Sequence, residues 1–61
     1  MMSKFIEIFA KKSEFNMLES QTPYNGIMNE SEQVVVFDQD NEPFITDKYD
    51  LEKNGFVINI L

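Results

Sequence analysis

"QVVVFDQDNEPFIT", residues 33 to 46, decides the fold. Val34, Val35, Val36 and Phe37 form the strongest β-forming run in the chain. Phe44, Ile45 and Thr46 make a second, shorter run. The segment between them, "DQDNE" at 38–42, is polar and of a length that joins neighbouring antiparallel strands. The stretch therefore reads as a β-hairpin. Pro43 has no amide N–H to give to a ladder, which suits a strand start or an edge.

The chain after this hairpin carries the clearest helical signal. In "TDKYDLEKNGF", Asp47 or Thr46 can cap a helix start, Lys53 falls in its last turn, and Asn54-Gly55 supplies a stop. Such a helix is only about two turns long. Tyr49 and Leu51 cannot share a face, and Leu51 is the expected core contact. "GFVINIL" then reads as a terminal strand with Phe56, Ile58 and Ile60 on one face and Val57, Asn59 and Leu61 on the other.

Before the hairpin, "KFIEIFA" at 4–10 alternates Phe5, Glu7 and Phe9 with Ile6, Ile8 and Ala10. Both sides are mostly apolar, so it reads as a strand covered on two faces or buried in an interface. "KKSEF" reads as a turn, and "EFNMLES" as either a second strand or a short helix. "SQTPYNGIMNESEQ" at 20–33 reads as a long loop, because Pro23 and Asn25-Gly26 are strong turn signals. Asn25-Gly26 also fits a type I′ hairpin, but its flanks hold few strand formers, so an irregular connection is the expectation.

The whole is an α+β protein: one domain over residues 1–61, with a small antiparallel sheet of three to five strands and one or two short helices. A chain of 61 residues buries about 60% of the surface its unfolded form exposes, and so has a marginal core. Such folds usually need a staple. With no cysteine and no histidine, disulfides and the thiolate or imidazole metal sites are excluded. Self-association through the sheet, as a homodimer, is the expected staple. One face would pack on the helix and the other on a copy or another protein.

Net charge is −6 and unevenly spread. Residues 1–12 carry three lysines against one glutamate. Residues 13–47 contain no basic residue but eight carboxylates: Glu14, Glu19, Glu30, Glu32, Asp38, Asp40, Glu42 and Asp47. The chain has no arginine, and phosphate and base readout rely on Arg and Lys, so direct nucleic-acid binding is not expected. No apolar run approaches the roughly 18 residues of a membrane helix, and the N-terminus lacks the pattern of a secretion signal. A cytoplasmic protein is expected.

Catalysis has little to work with. No His or Cys offers a base or nucleophile, and Gly26 and Gly55 are isolated, so no phosphate-cradling loop exists. Asp38, Asp40 and Glu42 match the first, third and fifth places of a calcium loop, but Pro43 stands where the loop needs glycine and Tyr49 where it needs glutamate. Neither a cofactor, a metal nor an enzymatic activity is expected.

Binding remains. One reading is an acidic inhibitor that occupies the basic surface of a nucleic-acid-handling or defence protein, with Glu30, Glu32, Asp38, Asp40 and Glu42 acting as a nucleic-acid mimic. On an extended strand these carboxylates would repeat every ~6.8 Å, near the phosphate repeat. Exposed Tyr24, Met28 and Phe44, with Met17, would add apolar contact, because charge steers more than it holds. The alternative is an antitoxin- or adaptor-type module, or an oligomer subunit, that contacts its partners through the apolar sheet, with "VVVF" or "FVINIL" as the surface. In length and charge the chain is similar to small bacteriophage-encoded inhibitors of host enzymes or defences. That resemblance implies an inhibitor working in a host cytoplasm and transfers no residue roles, since it rests on no motif.

Overall fold

A computed structural model describes residues 2–61. The hairpin is as read. Strand β3 (Gln33–Phe37) pairs antiparallel with β4 (Pro43–Asp47), Val35 opposite Ile45 and Phe37 opposite Pro43. β1 (Lys4–Phe9) pairs with β2 (Tyr24–Met28), and β2 with β3. After β4 comes the helix α1 (Lys48–Lys53), the single one among the described residues, and then β5 (Val57–Ile60), which pairs antiparallel with β1. The sheet order is β4-β3-β2-β1-β5. The first four strands thus form a meander, and the segment from 48 to 56 crosses the sheet from one edge to the other. Among the described residues, no helix is long and apolar enough to cross a membrane.

The helix follows its local signals. The Asp47 side chain accepts the Asp50 N–H at 2.7 Å, Lys53 lies in the last turn, and Gly55 takes φ 96° beyond the Asn54 cap. Leu51 is fully buried while Tyr49 is exposed.

Between β1 and β2 the structure is neither strand nor helix. Residues 10–23 form an irregular cover over one face of the sheet. Ala10 and Leu18 are buried there, and Phe15 meets Phe44 edge-on with ring centroids 5.2 Å apart. The cover is tied down by polar bonds: the Glu19 N–H donates to the Tyr24 hydroxyl oxygen at 2.7 Å, and the Ser13 N–H to the Ser20 hydroxyl at 2.8 Å. Together with α1 it encloses a core of Ile6, Ile8, Tyr24, Met28, Val34, Val36, Leu51 and Phe56.

Two expectations fail here. Asn25-Gly26 is no turn; it lies inside β2, a central strand, with Gly26 between Ile6 and Val36. The glycine serves close approach: a Cβ there would come within 2.5 Å of the Val35 carbonyl and 2.6 Å of Val36 Cγ1. Nor is 20–33 one long loop. It contains β2 and a tight turn, 29–33, that leads into β3.

Candidate functional site

The carboxylates singled out in the sequence do not gather. They sit in two turns at opposite ends of β3, some 20 Å apart along the strand, and not on extended backbone. The two turns share one design. In the first, Asn29 Oδ1 accepts the N–H groups of Ser31 and Gln33, both at 2.9 Å, and Glu32 N–H bonds the Asn29 carbonyl at 3.0 Å. In the second, Asp38 Oδ1 accepts those of Asp40 and Glu42, both at 2.9 Å, and Asn41 N–H bonds the Asp38 carbonyl at 2.9 Å. The fourth residue of each turn is left-handed, Glu32 at φ 64° and Asn41 at φ 61°. Each is a three-residue hairpin loop stabilised by an Asx side chain.

Most of these acids therefore have a local structural partner. Asp38 holds its own turn. Glu30 accepts the Met2 N–H at 2.9 Å, and Glu32 pairs with Lys48 at 3.4 Å. The phosphate-like spacing expected on an extended strand is absent. The expected exposure of Tyr24, Met28 and Phe44 also fails. Tyr24 and Met28 are core residues, and Phe44 is half-buried against Phe15. All three point to the covered face, whose parity places Ile6, Ile8, Val34 and Val36 beside them. Met17 is exposed, as expected. Among the described residues, no group of three or more acidic side chains is arranged to hold a metal ion.

Among the described residues nothing covers the sheet's second face. Ile45 lies opposite Val35, Val35 opposite Ile27, and Ile27 opposite Phe5. The Leu61 N–H then bonds the Phe5 carbonyl at 2.9 Å, which sets Leu61 beside Phe5. One apolar row crosses the full width of the sheet. Its ends are open, with Ile45 77%, Phe5 69% and Leu61 73% exposed. Single exposed apolar side chains are ordinary, whereas a contiguous exposed row is not. A shallow groove runs along it between Ile27, Val35 and Ile45. Phe37, Phe9 and Val57 extend the same face, with Asn25, Glu7 and Asn59 across its middle.

Charge on this face has one sign. Glu7 and Asp47 occupy outward positions. At the strand positions of the face no lysine does: Lys4 has the parity of Ile6 and Ile8, and Lys48 and Lys53 belong to α1 on the covered side, while Lys11 and Lys12 follow β1 in an exposed bend. The sequence hinted at this face through the apolar residues on both sides of 4–10, but the row itself depends on register between strands.

Comparison with protein-family models, with curated proteins and with solved structures finds no match for this chain.

Proposed function

We propose that this is a non-enzymatic binding protein that docks through its open sheet face on another protein, onto an apolar patch bordered by lysine or arginine. The apolar row from Ile45 to Leu61 is the observation that carries the reading. Rows of this kind supply affinity, while the surrounding charge steers encounter and selects partners. A basic partner fits because the outward strand positions of the face include carboxylates and no lysine. Two copies face to face would bury the Glu7 carboxylates with no lysine at the strand positions of the face to neutralise them. Occupying a basic surface would obstruct any nucleic acid that uses it, so an inhibitory role follows from this mode of binding. Nucleic-acid mimicry by Glu30, Glu32, Asp38, Asp40 and Glu42 has less support, since they lie in two separate turns.

The test compares three immobilised proteins as baits in a cell extract: the wild type, Phe5→Ser with Ile45→Ser, and Asp38→Asn with Asp40→Asn and Glu42→Gln. Melting curves confirm that each is folded. The reading expects the face variant to lose a specific captured protein that the turn variant keeps, and expects binding to the purified captured protein to follow the same order. Retention by the face variant with loss in the turn variant would favour the acidic turns as the site.

A further inference from the structure

Among the described residues β5 is an open edge of the sheet, and no backbone group pairs with its outer side. In an antiparallel ladder, alternate residues turn their N–H and C=O groups to opposite sides. The Leu61 N–H bonds Phe5, so Leu61, Asn59 and Val57 face β1. Ile58 and Ile60 therefore turn their backbone groups away from the sheet. Such a row is a template for another strand unless proline, charge or a bulge blunts it. The opposite edge is blunted. The Asp38 N–H bonds the Glu42 carbonyl, so Pro43, Ile45 and Asp47 are the outward residues of β4; the first lacks an N–H and the last is charged. β5 has no such protection: from Asn54 to Leu61 there is no charged residue and no proline.

We propose that two copies of the chain pair edge to edge along β5, antiparallel, with Asn59 opposite Asn59 of the second copy on the two-fold axis. Two five-stranded sheets then become one. The proposal stands whether or not the open face binds a partner.

Three observations converge on this arrangement. The first is backbone: centred on Asn59, Ile58 and Ile60 of one copy exchange N–H···O=C bonds with Ile60 and Ile58 of the other, and every outward group of the strand is used. The second is register. Asn59 is the sole polar side chain from Phe56 to Leu61. The centred pairing sets it against itself at a non-hydrogen-bonded site, where side chains approach most closely and the two amides can bond. A slip by two places each amide against Val57 or Leu61, and a slip by one turns the faces over. The third is charge. In a chain of net charge −6, this edge lets two copies meet without opposing carboxylates. The nearest on the sheet are the two Glu7, beside Asn59 on β1. They stand three strand spacings apart, ~14 Å, beyond the ~8 Å over which charges interact at physiological salt.

The chain has no cysteine, which makes cross-linking clean. Paired Cα atoms at a non-hydrogen-bonded site lie ~4.5 Å apart, within disulfide range. Asn59→Cys should form a disulfide-linked dimer under mild oxidation, while Val57→Cys and Ile45→Cys, both exposed, should yield little disulfide-linked dimer, because neither meets its own copy across the pairing. In sedimentation equilibrium, the wild type should double in mass as concentration rises. Ile60→Pro removes an outward N–H, and Asn59→Lys opposes like charges; both should hold the folded chain as a monomer. The pairing is overturned if the wild type is monomeric throughout. It is equally overturned if the folded lysine or proline variant associates like the wild type, or if the control cysteines link as fast as Asn59→Cys.

Discussion

Gly26 occupies the middle of the sheet, where Val36 and the Val35 carbonyl fill the space a side chain needs. Gly26→Ala should therefore cost about 1–3 kcal/mol, as overpacked cores do. A urea titration should show a lowered midpoint with little change in slope. Asp38 offers a second test, because its carboxylate accepts two turn N–H groups while that of Asp40 accepts none among the described residues. Asp38→Ala should cost about 1 kcal/mol by the same measurement and Asp40→Ala close to nothing. Residues of this kind limit what the sequence discloses. Asn25-Gly26 has the local chemistry of a turn, and the reason for its glycine lies in Val35 and Val36 on the next strand. Tyr24 and Met28 each precede an asparagine and Phe44 follows the acidic turn and Pro43, so all three read as surface, yet their strand parity turns them inward. Asp38 was legible as a hairpin residue because an Asx turn is a local device.

α1 has six residues, too few to persist alone. Its cap and its one buried side chain hold it. Loss of the Asp47 cap in Asp47→Ala should cost about 1 kcal/mol. Loss of Leu51 in Leu51→Ala should cost about 2–5 kcal/mol, enough to leave so small a domain largely unfolded. Far-ultraviolet circular dichroism during thermal melting separates the two outcomes. Elements with a local signature were readable in advance: the β3–β4 hairpin, the capped helix with its glycine stop, and the alternating strands at both ends. Residues 10–23 were not. They have no periodicity because they form no ladder or helix; Phe15 and Leu18 are fixed by what they meet across the core. The turn at 29–33 repeats the plan of 38–42, and Asn29 with Glu32 three residues later was the available signal.

At the scale of the molecule, the covered face makes the core and the bare face leaves its apolar row exposed. The charge at strand and helix positions follows the same division, with Lys4, Lys48 and Lys53 on the covered side and carboxylates at the outward strand positions. Since the turn acids are dispersed, millimolar calcium should leave the melting temperature unchanged; a saturable rise would reveal an assembled site. Association with a basic partner should slow as salt rises, while the apolar row should keep dissociation nearly salt-independent. The most direct measurement is methyl chemical-shift mapping of the isotope-labelled protein as the captured partner is added. If the open face is the contact, the methyls of Ile27, Val35, Ile45 and Leu61 shift or broaden first, while those of Ile8, Val34 and Leu51 in the core remain in place. Changes confined to residues 29–33 and 38–42, with the outward methyls unmoved, would contradict it.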